Sequence, residues 1–122
     1  MKYMIMMFGD QANMTETRSL DWIKEMIQFM HTLNEDLSSA GELADARGLA
    51  DASQAKTVGI KNGMPVATDG PFAESKESLA GYWIVDVDTE ARALELASRV
   101  VAFIGPAGAP PIEVRQIGEA PA

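Results

Sequence analysis

The sequence predicts an α+β fold with a ferredoxin-like split βαβ layout and one additional hairpin. Two amphipathic helical stretches alternate with short apolar runs of strand length, and an Asn-Gly dipeptide marks a hairpin between them. The chain has 122 residues, which suits a single domain. We assign that domain to residues 1–118 and expect residues 119–122 to form a frayed tail.

The first half of the chain is predicted to form a strand followed by the longer helix. Lys2–Phe8 is a short apolar run, and its length favours a strand over a buried helix. The helix is expected over residues 19–40, with Ser19 as N-cap and Gly41 just past its end. Its apolar stripe consists of Trp22, Met26, Met30, Leu33 and Leu37.

Residues 42–68 contain a weak strand pattern and a clearer hairpin pattern. A strand is expected within residues 42–51, where it runs into a turn at Gly48. Residues 56–68 hold two short runs on either side of Asn62-Gly63, which is the strongest dipeptide signal for a type I′ hairpin.

The remainder of the chain predicts strand, helix and strand. Strands are expected at residues 81–88 and 112–117, and between them a helix runs from an N-cap at Asp88 or Thr89 to Ile104. We expect Glu95 and Arg99 to pair on the exposed side of this helix. Its buried stripe is predicted to consist of Ala91, Leu94, Ala97 and Val101.

The apolar pattern of two predicted strands indicates self-association. Lys2–Phe8 and residues 81–88 are apolar on both faces, although two helices can cover only one face of such a sheet. A bare second face would be an apolar patch larger than monomers normally expose, and a second copy is the simplest cover. The patterning therefore predicts a homodimer joined sheet to sheet.

Composition disfavours several classes of function. Ten basic residues against eighteen acidic ones give a net charge of −8, so neither nucleic acid nor a membrane surface is an expected partner. With no cysteine and one histidine, a thiolate or multi-histidine metal site within one chain is impossible, and we expect no cofactor. The first apolar run is too short for a signal peptide or membrane span, which predicts a cytoplasmic protein.

The segment TDGPFAESKE, residues 68–77, concentrates the residues most suited to chemistry. It offers Asp69 and Glu74 as candidate acid and base, Lys76 as a cation, and Phe72 as an apolar contact for a ligand. The alternative is a rigid connector, in which Asp69 closes a turn and Phe72 packs into the core. The residues alone leave both interpretations open.

Other candidate residues are scattered along the chain. Asp10 follows the first strand and is either ligand-facing or a turn residue, while Arg47 and Arg115 either meet an anionic ligand or form salt bridges. His31, the single histidine, falls on the polar side of the long helix, which disfavours it as a catalytic base. The methionines lie at core spacing, although methionine-lined cavities also adapt to small molecules.

One motif resembles a known family. Residues 69–77, Asp-Gly-Pro-Phe-Ala-Glu-Ser-Lys-Glu, resemble the DGPF signature of the YCII-related (DGPFAETKE) proteins, with Ser75 where threonine is common. Further matches in order are the KYM opening, Gly9-Asp10, Asn62-Gly63 and residues 113–115. The resemblance implies a ferredoxin-like subunit that dimerises as an α+β barrel.

The resemblance implies little about activity, because members of this family are largely uncharacterised. We expect a homodimer that binds a small molecule in a barrel cleft, with cofactor-independent proton transfer by Asp69 or Glu74 and an anion oriented by Lys76 or an arginine. Many DGPF proteins are encoded beside extracytoplasmic-function sigma factors, so the alternative is a non-catalytic regulatory partner of such a factor. A module that only oligomerises is the third hypothesis. Whether the protein is an enzyme stays open.

Overall fold

Two α-helices and six β-strands make up the regular structure of the residues that the computed structural model describes, which are 1–9, 18–69, 78–105 and 111–119. A short 3₁₀ turn, Ala52–Gln54, precedes the third strand. The elements in chain order are β1 (Lys2–Phe8), α1 (Leu20–Ser39), β2 (Leu43–Gly48), β3 (Lys56–Lys61), β4 (Met64–Asp69), β5 (Leu79–Asp86), α2 (Glu90–Ile104) and β6 (Glu113–Gln116).

Four of the strands form an antiparallel sheet in the order β2-β5-β1-β6, and β3 pairs with β4 as a separate hairpin. β1 and β2 are joined through α1 with β5 between them, which is the split βαβ connection. The architecture is therefore α+β and compatible with the predicted ferredoxin-like layout with an extra hairpin.

Helix α1 begins and ends as its sequence predicts. The Ser19 hydroxyl accepts a 3.1 Å hydrogen bond from the backbone N–H of Trp22, which caps the first turn. At the other end, Gly41 has φ +73°, a conformation that glycine adopts without steric cost. The buried residues of this helix are Leu33 and Leu37.

Helix α2 has the predicted N-cap, Thr89, but of its predicted stripe only Ala97 is buried. Leu94 and Val101 are exposed, whereas the buried positions follow an i, i+3, i+4, i+7 pattern from residue 93. The helix is rich in alanine around its circumference, so apolar spacing alone did not fix its rotation. The residues that it buries are Ala93, Leu96, Ala97 and Val100.

The ion pair predicted within α2 was also wrong. Glu95 accepts a hydrogen bond from Arg92 one turn earlier, at 2.9 Å. Arg99 instead donates to Asp36 of α1, with its Nη2 3.1 Å from Oδ2. Because α1 and α2 lie side by side on the sheet, Arg99 reaches a partner that helix periodicity cannot indicate.

Both helices cover the same face of the four-stranded sheet, here called the inner face. On this face Tyr3 and Ile5 of β1 pair with Val85 and Trp83 of β5, and all four residues are buried. They form one hydrophobic cluster with the buried residues of both helices. The core of the protein is therefore a two-layer arrangement of helices on a sheet.

The opposite face of the sheet, here called the outer face, carries a second apolar group. Met4 pairs with Ile84 and Met6 with Tyr82 across β1 and β5, and none of the four belongs to the core cluster. Met6 is 9% exposed, so neighbouring side chains already shield it, whereas the other three are half-buried. The two-sided apolar character predicted for these strands is confirmed.

The β3–β4 hairpin turns where the sequence predicts. Asn62 and Gly63 have φ of +53° and +78°, which is the pair of positive values that a type I′ turn requires. Both strands are exposed over nearly their whole length, and Val58, Ile60 and Met64 present large apolar side chains to solvent.

Among the described residues, neither helix is long and apolar enough to cross a membrane.

Candidate functional site

A cavity of about 360 Å³ lies between α1 and the inner face of the sheet. On the helix side its wall is formed by Ile23, Met26 and Met30, from the first three turns of α1. Its floor is formed by residues of β1, β2 and β5. The cavity is thus enclosed by one chain, on the side of the sheet away from the outer face.

Two glycines explain why the sheet leaves this volume empty. Strand alternation puts Gly48 of β2 on the inner face with Ala46, and Gly81 of β5 on the inner face with Trp83. Gly48 and Gly81 are paired in register, so two adjacent positions beneath α1 have no side chain. The methionines of α1 therefore face bare backbone at this end of the sheet.

The two glycines differ in what a side chain would meet. A Cβ at Gly81 would lie 2.9 Å from the carbonyl oxygen of Arg47 and 3.4 Å from the Cα of Gly48, so close contact between β2 and β5 requires glycine there. A Cβ at Gly48 would meet nothing within 4 Å. Gly48 is consequently the position from which a side chain can enter the cavity without a clash.

The cavity contains one polar interaction. The indole Nε1 of Trp83 donates a 2.7 Å hydrogen bond to Oδ1 of Asn34, and both residues line the cavity. Because indole N–H can only donate, this bond fixes the orientation of the amide and leaves the two N–H donors of Asn34 Nδ2. In the described part of the chain, no hydrogen bond uses them.

The apolar wall is rich in methionine. Met7 of β1 joins Met26 and Met30 around the cavity. Methionine side chains are flexible and polarizable, and they make favourable contacts with aromatic rings. This wall can therefore adapt to ligands of different outline, which was one of the two interpretations left open for the methionines.

Arg47 is the predicted ligand-binding residue that lies at this site. It is among the residues lining the cavity, and its Nε forms a 3.2 Å ion pair with Oδ1 of Asp45. Tyr82 donates to the other oxygen of the same carboxylate at 3.3 Å. Arg47 lies between the inner-face residues Ala46 and Gly48 and opposite Tyr82, so its side chain, which is 70% exposed, lies on the outer face with its salt bridge to Asp45. Arg47 therefore borders the cavity through its backbone, and its role in ligand binding stays a prediction.

Asp69 and Arg115 lie apart from this cavity. Asp69 ends β4, and its carboxylate pairs with Lys56 across the hairpin while staying 92% exposed. Arg115 is on β6, the sheet edge opposite β2, and its Nη2 lies 2.9 Å from Oε2 of Glu113. Neither residue is among those that line the cavity. Their proposed roles stay predictions.

The other predicted site residues, Asp10, Phe72, Glu74 and Lys76, lie outside the described residues. Gly9 and Ser78, which adjoin the two segments concerned, are hydrogen-bonded, with the Gly9 N–H 2.9 Å from the Ser78 carbonyl oxygen. They are two residues from Met7 and Ala80, which line the cavity. Gly9 and Ser78, the described neighbours of the two segments, are therefore close in sequence to the cavity lining.

His31 is exposed on α1, as its helical position predicts, and is not a lining residue. The described residues contain no group of three or more histidine, aspartate or glutamate side chains suited to a metal ion. Sequence reasoning missed Asn34, Gly48 and Gly81 as site residues. The only sequence signal for them was the unusual position of two glycines in or beside strands.

The ion pair between Arg92 and Glu42, away from the cavity, shifts the pKa values of both of its groups. Arg92 at the start of α2 donates to Glu42 through Nε and Nη2, at 3.0 and 2.9 Å, so the pair is bidentate. The hydrogen bonds from Arg92 lower the pKa of the Glu42 carboxyl below its ordinary value, and they raise the pKa of Arg92. This pair ties the end of α1 to α2 and has a structural role.

Comparison with known proteins gives one family and one relative. The model of the YCII-related domain matches residues 1–103. An uncharacterised protein of Rhizobium meliloti (strain 1021) is 27% identical over 97 residues, which are 80% of this chain and 77% of that protein. The match to the domain model includes β1, α1, β2 and β5, so all elements that enclose the cavity lie within it.

Proposed function

The chain belongs to the YCII-related domain family, and we propose that it binds a small apolar molecule between α1 and the sheet, acting as one protomer of a homodimer. The observation that carries this proposal is the cavity itself. Ligand sites in proteins are concave, largely apolar and about 300–1,000 Å³ in volume, with a few polar groups that orient the ligand. A volume of about 360 Å³ with methionine walls and one accessible amide has these properties.

The favourable free energy of binding comes from the apolar walls of the cavity. Ile23, Met26 and Met30 present apolar surface to an open space because Gly48 and Gly81 provide no side chains to fill it. A ligand that removes this surface from water gains roughly 25 cal/mol for each Å² of apolar area buried. The rigid strand floor limits the ordering that binding requires, which favours affinity.

The homodimer is supported by the outer face of the sheet. Met4, Met6, Tyr82 and Ile84 lie on two central strands, and both helices pack on the opposite face. Ion pairs flank this apolar strip at each edge, with Asp45 beside Arg47 on β2 and Glu113 beside Arg115 on β6. Two copies related by a two-fold axis would bury the strip and leave charged groups at its rim.

In this arrangement the ligand and the second copy use different faces of the sheet. The family resemblance leads us to expect a ligand in the cleft of a dimeric α+β barrel, whereas the cavity described above is formed by a single chain. Binding is therefore expected to need one folded protomer. Dimerisation would act on it through the shared strands β1 and β5.

Proton transfer is the further step that the sequence suggests. Gly9 and Ser78, the described residues that border residues 10–17 and 70–77, are each two residues from a residue that lines the cavity, which supports a role for Asp10, Glu74 or Lys76 beside a bound ligand. Asp69 is the least supported of these candidates, because its carboxylate is solvated and paired with Lys56. No observation favours the sigma-factor partnership over ligand binding.

A thermal-shift screen against small apolar metabolites tests the proposal. Gly48→Leu directs a side chain into the cavity, and Gly59→Leu is a matched control because Gly59 is also a strand glycine with no atom within 4 Å of a Cβ. A ligand of the cavity should raise the melting temperature of the wild type and of Gly59→Leu but not of Gly48→Leu. Equal stabilisation of both variants would refute binding in this cavity.

A further inference from the structure

The polar end of the cavity offers two unused hydrogen-bond donors. The Trp83 N–H takes one lone pair of Oδ1 of Asn34 and orients the amide, whereas neither N–H of Nδ2 has a partner among the described residues. What a ligand meets is Nδ2 of Asn34, with two N–H donors. A ligand that pairs with this group must therefore carry an acceptor, such as a carbonyl or carboxylate oxygen.

Charge distinguishes these two acceptors. Arg47 is the only charged residue among the described residues that line the cavity, and its guanidinium lies on the outer face of the sheet, where it pairs with Asp45. A carboxylate beside Asn34 would lose its hydration without gaining a dedicated counter-ion, which is costly in an apolar site. A neutral carbonyl loses far less hydration, and one hydrogen bond from Asn34 compensates for much of it.

The walls favour an aromatic or conjugated body for the ligand. Met7, Met26 and Met30 bring three thioether sulfurs to one cavity, and sulfur makes favourable contacts with the edges of aromatic rings. The indole of Trp83 also lines the cavity next to Asn34, so the ring of a ligand can contact it. A saturated chain would gain burial but not these contacts.

Building on the proposed function, we infer that the ligand is a neutral aromatic carbonyl compound. Its carbonyl oxygen accepts a hydrogen bond from Nδ2 of Asn34, and its ring lies among the methionines above Gly48 and Gly81. Trp83 acts as a positioning residue, because its bond to Oδ1 holds the amide with the donors available.

Three probes of similar size separate the contributions by isothermal titration calorimetry. They are 2-acetylnaphthalene, its hydrocarbon counterpart 2-isopropenylnaphthalene, and the anion 2-naphthoate. The variant Asn34→Asp keeps an acceptor for Trp83 and removes both N–H donors. We expect the wild type to bind the ketone about fivefold more tightly than the hydrocarbon, the contribution of one net hydrogen bond. In Asn34→Asp this preference should disappear.

The outcomes distinguish this inference from the proposed function. If ketone and hydrocarbon bind the wild type equally, the carbonyl inference is overturned while binding in the cavity stands. If 2-naphthoate binds most tightly, the ligand is an anion and the inference is again wrong. If none of the probes binds, both fail. The wild-type comparison alone decides, so the result does not depend on the stability of Asn34→Asp.

Discussion

Trp83 of β5 and Asn34 of α1 are joined by a 2.7 Å hydrogen bond across the interface between sheet and helix. Trp83 is buried, with 4% of its surface exposed, so its N–H depends on a protein partner. The same bond sets which atoms of Asn34 face the cavity. A single contact thus links the packing of the core to the chemistry of the candidate site.

Trp83→Phe is predicted to destabilise the fold by about 2 kcal/mol, since it removes this hydrogen bond and part of the buried ring. The free energy of unfolding in urea measures the effect. Trp22→Phe is the control, because Trp22 is half-buried and contacts the ring of Phe103 in α2 and the guanidinium of Arg18. If Trp22→Phe lowered the free energy of unfolding as much as Trp83→Phe, the hydrogen bond between Trp83 and Asn34 would not be the source of the effect.

Gly81→Ala is predicted to destabilise by about 2 kcal/mol, because its Cβ would lie 2.9 Å from a backbone oxygen of β2 that cannot move alone. Gly59→Ala, in a strand position with open space, should be neutral or slightly stabilising. Thermal unfolding of the two variants gives the comparison. If Gly81→Ala were as stable as Gly59→Ala, the close approach of β2 and β5 would be wrong.

Glu42→Gln is predicted to lower stability at pH 7 by about 1–2 kcal/mol, because it breaks the bidentate contact with Arg92. The pKa of Glu42 is lowered in the folded state, so the contribution is present above its ordinary value of 4.5. It is lost as the pH falls through the folded pKa. The raised pKa of Arg92 lies far above this range and does not contribute.

Urea titrations of wild type and Glu42→Gln between pH 7 and pH 3 measure this dependence. Glu95→Gln is the control, because Glu95 contacts the same arginine from an exposed position and should cost less than about 0.5 kcal/mol. A difference between wild type and Glu42→Gln that stays constant over this range would show that the carboxylate charge is not its source.

Ile84→Lys is predicted to abolish the proposed homodimer, because it places a charge in the centre of the outer face. Ile27→Lys is matched in residue type and lies on the exposed side of α1. Sedimentation velocity at micromolar concentration should show a monomer for the first variant and a dimer for the second. A wild type that sediments as a folded monomer would refute the dimer itself.

Asp69→Asn combined with Glu74→Gln tests the predicted proton-transfer residues. The Lys56–Asp69 pair is exposed, so its loss should change stability by less than about 0.5 kcal/mol. If the segment acts on a bound ligand, the double variant should stay folded and bind, and its turnover should fall. Unfolding of the double variant would instead favour the interpretation of residues 68–77 as a structural turn.

The sequence was sufficient for the elements whose signals are local. Ser19, Gly41 and the Asn62-Gly63 turn act through their own backbone geometry, and each has the predicted role. The two-sided apolar pattern of β1 and β5 is likewise present as predicted. The predictions of which side of α2 is buried and of which residue pairs with Arg99 were wrong, because both depend on how two helices lie against one sheet.

The candidate site depends almost entirely on tertiary structure. Gly48 and Gly81 are 33 positions apart in the chain, and only strand pairing places them side by side under α1. Asn34 occupies a helix position with no motif to single it out, and it becomes notable through its contact with Trp83. Reasoning from motifs favoured charged residues as the site, whereas the residues that line the cavity are mostly apolar.

The measurement that tests the central claim most directly is a titration of methyl-labelled methionine with 2-acetylnaphthalene, followed by NMR. Met7, Met26 and Met30 line the cavity, whereas Met4 lies on the outer face and Met64 on the hairpin. Ligand binding in the cavity predicts saturable shifts of the first three methyl signals and none for Met4 or Met64. Shifts confined to Met4 or Met64, or no saturable shift, would contradict the proposed site.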